Sequence, residues 1–317
     1  MNNLKTKLLD LLLVIPPGSE IVYLDYPVYS NIGDLLIFEG AERFFSDNDI
    51  NIVERFSLKE ASALSRRRIG DRVLVLQGGG NFGDLYPWHQ AFREHVVRSF
   101  PGNRVVLLPQ TIHFSNDREA KRAGKVFREH RDLHIFVRDE RSQAFASTEL
   151  SHNRENVRLM PDMAHWLYGH IRSSVVAENA ARGTLWLMRG DKERLGESNS
   201  LEGFHPEYDF IGDWRDIRSP SNVLMEHVMA KYHRAAGVMP FRPFKPWKTY
   251  IPFVRSQIDA SVDFFSKFER IVTSRLHGHI LGALLDKHIT LFDNSYGKNR
   301  GYYDCWTKSV RNVTFAE

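Results

Sequence analysis

An arginine and a histidine stand two residues apart in Ser274-Arg275-Leu276-His277-Gly278, between an apolar strand-like run and an apolar helix-like run that continues to Leu285. A helix start offers unpaired backbone N–H groups and the positive end of the helix dipole, and this turn adds a guanidinium and an imidazole. Such a turn can bind a phosphate or carboxylate beside a group able to deliver a proton. A plainer reading is equally open on local grounds: Arg275 ties the strand end to a neighbouring carboxylate, and His277 is a satisfied cap residue.

Four further polar clusters follow β-rich runs. Tyr29-Ser30-Asn31-Ile32-Gly33-Asp34 opens a stretch whose Leu35, Leu36, Phe38, Ala41 and Phe45 form an apolar helical stripe. Asp34 is there either as a cleft carboxylate or as an N-terminal cap. Leu76-Gln77-Gly78-Gly79-Gly80-Asn81-Phe82-Gly83-Asp84 carries glycines at dinucleotide-fingerprint spacing. Pro87 delays the helix that a pyrophosphate needs, and the next strand closes on Pro109-Gln110 instead of an acid for a ribose, so a nicotinamide cofactor is not expected. The glycines instead let a substrate approach the backbone, with Asn81 and Asp84 beside it. Pro109-Gln110-Thr111-Ile112-His113 and Arg138-Asp139-Glu140-Arg141-Ser142 complete the set, and a salt bridge from Arg138 to a nearby acid is the local alternative for the latter.

The elements that must position these clusters alternate. Strand-like runs at 21–24, 73–76, 105–108 and 135–137 are each followed by helical patterns, at 34–45, 88–100, 117–130 and 142–149, and 157–160 reads as a closing strand. That alternation implies a parallel sheet covered on both faces. The second half restarts at 183–188, with a helical 223–236 and strands at 271–273 and 289–291. The expected fold is α/β, two facing Rossmann-like domains with parallel sheets, over residues 1–170 and 171–317. Ligands of open parallel sheets bind outside the carboxyl ends of the strands, so the clusters converge on one cleft between the domains.

Composition narrows the class. Lys and Arg number 43 against 39 Asp and Glu, a net +4 spread along the chain, so no nucleic-acid partner is indicated. A single cysteine, Cys305, fits a reducing, cytoplasmic compartment and excludes an internal disulfide or a cysteine metal cluster. Lys5 and Lys7 precede an apolar run at 8–14, but Asp10 interrupts it and no small-residue cleavage pattern follows Pro16-Pro17-Gly18; an amphipathic helix is expected in place of a signal peptide. No run reaches the roughly 18 uncharged apolar residues that span a bilayer.

Taken together, Asn31-Ile-Gly-Asp34, Gln77-Gly-Gly-Gly-Asn81, Pro109-Gln110, Arg138 to Ser142, Pro161-Asp162-Met-Ala164 and Ser274 to Gly278 resemble the polysaccharide pyruvyl transferase family, from about residue 28 to 306. The resemblance implies an architecture like that of GT-B glycosyltransferases, phosphoenolpyruvate as donor, and a sugar acceptor, with a lipid-linked oligosaccharide expected. It matches Arg275, Leu276 and His277 to the donor-binding Arg-Leu-His element and Arg138 to a further donor arginine. Lys298 is the following basic residue, with Arg300 its competitor. His277 is then the expected acid and Asp34 the expected acceptor of the hydroxyl proton, while Asn31, Gly79, Gly80, Asn81 and His113 line the acceptor side. The chemistry calls for no metal or cofactor. Two alternatives stand beside it: a nucleotide-sugar glycosyltransferase of the same architecture, and a non-catalytic anion- or glycan-binding protein that uses some of the six tryptophans.

The segment 239–254 holds Phe241, Phe244, Trp247, Tyr250 and Phe253 with Arg242, Lys245 and Lys248, and its four prolines point to a loop. The aromatics either pack beneath the loop as a satellite core or meet a membrane headgroup layer at the inner face of the membrane.

Overall fold

The computed structural model describes residues 1–29, 31–172, 181–190, 205, 207–238 and 245–316. The first half contains strands β1 (Glu20–Leu24), β2 (Asn51–Phe56), β3 (Val73–Leu76), β4 (Gly79–Gly83), β5 (Val105–His113), β6 (Leu133–Val137) and β7 (Val157–Leu159). Its helices are α1 (Asn2–Lys7), α2 (Ile32–Asp47), α3 (Arg66–Ile69), α4 (Pro87–Ser99), α5 (Asp117–Arg128) and α6 (Glu140–Phe145). The strands form a sheet ordered β2-β1-β3-β5-β6-β7, with β4 added along the distal end of β5, and every pairing is parallel.

The second half contains β8 (Thr184–Leu187), β9 (Phe210–Gly212), β10 (Arg270–Thr273), β11 (His288–Leu291) and β12 (Val313–Phe315), with α7 (Pro220–Val238), α8 (Trp247–Ser266), α9 (Leu276–Leu284) and α10 (Lys298–Tyr302). These strands form a second parallel sheet, ordered β12-β11-β10-β8-β9. Each sheet therefore runs second-first-third-onward from its edge, the doubly wound arrangement expected of a Rossmann-like unit.

Strand alternation explains the layers. Ile21 and Tyr23 of β1 face one core while Val22 and Leu24 face the other, as a period of two requires. Leu74, Leu76, Val105 and Leu107 join Phe92, Val96 and Phe127 of α4 and α5 on the outer side. On the inner side, Val75, Val106 and Phe136 meet Leu36, Phe38 and Phe45 of α2, and this core runs on without a break into Leu185, Ile271 and Ile280 of the second half. The N-terminal segment is helical, and Leu4, Leu8 and Leu11 are buried, as an amphipathic helix demands.

Three expectations change. Edge strand β2 escapes a hydrophobic reading because Glu54 and Arg55 break its pattern; Arg55 is spent on a paired contact with Glu42, at 2.7 and 2.6 Å. The Gly-rich run after β3 is itself a strand, β4, and β5 extends well past Leu108 to His113. Residues 247–252 are helical despite Pro252, which lies within α8. Proline that close to a helix start forfeits a single backbone hydrogen bond, and the buried stripe of Tyr250, Val254, Ile258, Val262 and Phe265 offsets it. Tyr250 is buried and Phe253 is partly so, while the Arg55 guanidinium lies over the Trp247 ring at 4.3 Å. These three aromatics follow the satellite-core reading; Phe241, Arg242 and Phe244 lie outside the described residues.

His165, His233 and His279 are fully enclosed. Burial pushes their imidazoles down, to about 4, about 4 and about 3 respectively. A group held neutral in the fold but titrating at its ordinary value in the open chain stabilises the fold fully above about pH 6.5. It loses that contribution as pH falls, by about 1.4 kcal/mol per pH unit for each histidine. Thermal melts are expected to fall steeply between about pH 6.5 and 4.5. In His233→Phe, which keeps the ring packing on Tyr26 and Tyr250, the decline should be measurably shallower.

Candidate active site

In each sheet the strand order reverses beside the first strand, between β1 and β3 and between β8 and β10, and the crevice outside such a point is where doubly wound folds hold ligands. The two crevices face one another across a cavity of about 310 Å³. The first half supplies Tyr29, Asn31 and Asp34 from the turn into α2, Gly80 and Asn81 of β4, Tyr86 and His89 around the start of α4, and Arg138 from the end of β6. The second supplies Arg189 after β8, Trp214 after β9, Arg275, Leu276 and His277 at the start of α9, and Lys298 at the start of α10. Among the described residues, four permanent cations thus line a wall whose one carboxylate is Asp34. The starts of α2, α4 and α9 all supply lining residues, and helix starts are positive, so the cavity is suited to a multiply charged anion.

A buried carboxylate behind this wall organises it. Asp162, fully enclosed, accepts hydrogen bonds from Arg138 Nη1, from His277 Nε2 at 3.3 Å, and from the Ala164 N–H at 2.9 Å. Burial alone would raise its pKa, but the His277 charge and hydrogen bond, the Arg138 charge and the Ala164 N–H together hold it well below the usual carboxylate range. Its own N–H donates to the Tyr302 hydroxyl at 3.1 Å, which also meets His165 Nε2 at 2.8 Å. Asp162 is thus ionised, and it directs Nε2–H of His277 inward, leaving Nδ1 as the nitrogen available for chemistry.

Gly33 makes room for that ring. A Cβ at this position would land on the His277 imidazole, closer to Nδ1 than any real contact allows. Asn31 caps α2, its side-chain oxygen accepting from the Gly33 N–H at 3.0 Å, so the capping reading for Asp34 is corrected. Asp34 sits one turn in, half-buried, where Asn31 Nδ2 donates to it at 2.8 Å and Tyr29 adds a hydrogen bond. Burial raises its pKa above the ordinary value, against the opposing His277 charge and Tyr29 hydrogen bond. A carboxylate so placed is a better proton acceptor than one in water.

The cations are held in place. Arg138 is 1% exposed, and Thr111 Oγ1 accepts from its Nη2 at 3.0 Å. Arg138 Nη2 and Lys298 Nζ both converge on Gly80, where a Cβ would stand 3.4 and 3.5 Å from them. Arg275 makes a forked contact with Asp213, Nε to Oδ1 at 2.8 Å and Nη2 to Oδ2, so the salt-bridge reading of Arg275 holds alongside its place in the cavity. Of the two candidate basic residues, Lys298 is buried in the cavity wall, while Arg300 is exposed and pairs with Asp304 at 2.8 Å.

Two expected residues are not brought to the cavity. Gly79 lies beside Gly80, buried, and its φ of +131° is a conformation that favours glycine. His113 is carried away because β5 extends further than expected, and its ring stacks on Tyr296 at 4.4 Å. Conversely, the cavity takes in Tyr86, His89, Arg189 and Trp214, which are not among the expected site residues, and Tyr29 of the cluster around Asn31. Arg189 carried a usable signal, since it ends a strand as Arg138 and Arg275 do; His89 sits in a helical run with none. Most tryptophans are core or rim: Trp166, Trp186 and Trp214 are buried, and Trp214 alone lines the cavity. Among the described residues no group of three His, Cys, Asp or Glu side chains is placed to hold a metal ion, and no helix is long and apolar enough to cross a membrane.

Comparison with known proteins bears on the family and the fold. EpsO of Bacillus subtilis (strain 168), provisionally named a pyruvyl transferase, is 38% identical over 314 residues, covering 98% of this chain and 92% of its own. Pyruvyl transferase 1 of Schizosaccharomyces pombe is 26% identical over 298 residues, covering 91% and 70%. The crystal structure of the functionally uncharacterised protein KP1_0663 from Klebsiella pneumoniae subsp. pneumoniae NTUH-K2044 superposes with a TM-score of 0.63 at 20% identity, over the full length of both chains, and shares the fold. The sequence profile of polysaccharide pyruvyl transferases matches residues 31–296, which takes in every lining residue but Tyr29 and Lys298. The chain belongs to the polysaccharide pyruvyl transferase family.

Proposed function

We propose that the cavity binds phosphoenolpyruvate and transfers its enolpyruvyl group, as a ketal, to a sugar residue of a cell-surface polysaccharide or its lipid-linked precursor, in the cytoplasm at the inner face of the membrane. The observation that carries this reading is the grouping of Arg138, Arg189, Arg275 and Lys298 around His277, an imidazole already anchored on a buried carboxylate. Phosphoenolpyruvate brings about three negative charges on adjacent groups, which suits guanidiniums and helix starts. Its C2 becomes electrophilic once the methylene is protonated, and imidazolium Nδ1–H of His277 supplies that proton. Asp34 takes the proton of the attacking hydroxyl; Asn31, Gly80 and Asn81 form the acceptor wall beside it. Membrane contact is not required of Trp247, Tyr250 or Phe253, which are used in packing.

The deciding assay is phosphate release from phosphoenolpyruvate with and without glycan acceptors; absence of acceptor-dependent release would sink the reading. Arg275→Ala is expected to weaken phosphoenolpyruvate binding by about 1.5–3 kcal/mol, roughly 10- to 150-fold, in calorimetry. Because Asp213 then loses its partner, a thermal melt of the same variant separates misfolding from lost binding. His277→Ala should leave donor affinity near normal and lower kcat by roughly 10²–10⁴-fold. Asp34→Asn should likewise spare donor binding while transfer falls, and a full rate in this variant would move the base elsewhere.

Gly33→Ala tests the fit of the ring. Replacing glycine by alanine within a helix ordinarily adds up to about 1 kcal/mol of stability. Here the new methyl must displace His277, so kcat is expected to drop at least about tenfold with no rise in thermal midpoint. An unchanged kcat would show that His277 does not work in the observed position.

A further inference from the structure

A ketal closes two C–O bonds on one carbon, so two hydroxyls lose protons in each turnover. In the reaction proposed above, one of these protons ends in the new methyl group and the other on the departing phosphate. His277 and Asp34 account for the first exchange and leave the second without a carrier.

The wall formed by the first half holds a second imidazole. His89, in the first turn of α4, places Nδ1 2.9 and 3.0 Å from the two carboxylate oxygens of Asp25. Asp25 directly follows β1, is 1% exposed, and takes a backbone φ of 63°, a left-handed conformation uncommon outside glycine. Arg93, fully buried, lies 3.7 Å from Asp25 and donates to the Asn81 carbonyl at 3.0 Å and to the Asn81 side-chain oxygen. One guanidinium therefore braces both this pair and the Gly-rich wall. A carboxylate accepts hydrogen bonds, so Nδ1 of His89 carries the hydrogen that meets Asp25, and Nε2 is the nitrogen left to exchange a proton. Tyr29 and Tyr86 stand edge-on to the ring, with centroids at 5.9 and 6.5 Å, and all three side chains line the cavity. A pair that served only to anchor the fold would have no need of that opening.

We propose that His89 is a second proton-transfer residue, oriented by Asp25, and that it serves the ketal-closing step; this rests on the phosphoenolpyruvate reading. After the first hydroxyl has added to C2 and the methylene has become a methyl group, the second hydroxyl oxygen bonds to C2 as the C2–O bond to phosphate breaks. His89 Nε2 takes the proton of that hydroxyl and passes it to the leaving phosphate, which departs as hydrogen phosphate. The imidazole ends the cycle in the protonation state in which it began. Asp25 is a positioning residue that fixes the tautomer.

The test separates the two steps by running the full chain in D₂O with phosphoenolpyruvate and the methyl glycosides of glucose, galactose and mannose. In His89→Gln, acceptor-dependent phosphate release should fall roughly 10²–10⁴-fold. Deuterium should still enter the methylene of recovered phosphoenolpyruvate, because the first addition and its reversal persist. Asp25→Asn should show the same split, and free imidazole should restore part of the phosphate release of His89→Ala. Normal phosphate release in His89→Gln, or loss of exchange together with release, overturns the assignment. If the variants do not fold, ¹⁵N spectra of the wild-type histidines decide: a hydrogen on Nε2 of His89 in place of Nδ1 overturns it. Absence of phosphate release by the wild-type protein with every glycoside sinks the ketal reading itself, which is a different failure.

Discussion

The arrangement of the molecule turns on one desolvated carboxylate. Asp162 belongs to the first half, yet His277, one of the groups that satisfy its carboxylate, comes from the second, as does the Tyr302 hydroxyl that accepts from its backbone N–H. Removing a carboxylate from water costs several kcal/mol, and that cost is offset only when every acceptor site is filled with good geometry. Sliding one sheet against the other would leave a buried charge short of partners, a penalty of about 3–5 kcal/mol for a broken pair. The continuous apolar core can tolerate small slips between the halves, whereas this network cannot, so electrostatics sets their register.

That register gives the cavity its character. Helix starts from both halves meet there, and the side chains beside them divide into permanent cations and groups able to exchange protons. Two of the cations are positioned before any ligand arrives: Arg138 by Asp162 and Thr111, Arg275 by Asp213. Pre-positioned charges need little reorganisation when an anion binds or when charge moves during reaction, which is how such sites lower barriers. Asp34 and Asp162 lie on either side of this logic, one pushed up by burial and the other pulled down by its partners.

Much of this was legible in the sequence because strand ends carry the chemistry. The alternation of apolar runs located β1, β3, β5, β6, β8 and β10, and the polar residues directly after most of them converge as open parallel sheets require. What stayed hidden has physical causes. The charged edge strand β2 looks polar because Glu42, far off in sequence, neutralises Arg55. Asp25 and His89 are separated by 64 residues, and only folding shows that they touch. The proline in α8 reads as a breaker locally, but the decisive quantity, the apolar stripe that follows it, is tertiary. His113 was misplaced because the length of β5 depends on pairing with β4, a strand of glycines that no propensity scale favours.

The absent side chain of Gly33 has a consequence for timing. The ring of His277 is carried by the second half but fitted into a recess of the first, and its tautomer is set by a first-half carboxylate. Were the halves to part by the width of a water molecule, the imidazole would lose both its socket and the acceptor that orients it. On the proposed reading, proton delivery is thus interlocked with closure. An open molecule could then hold a donor's anionic groups on Arg189 and Arg275 without being able to protonate it, which would keep the activated donor from water until the second substrate is enclosed.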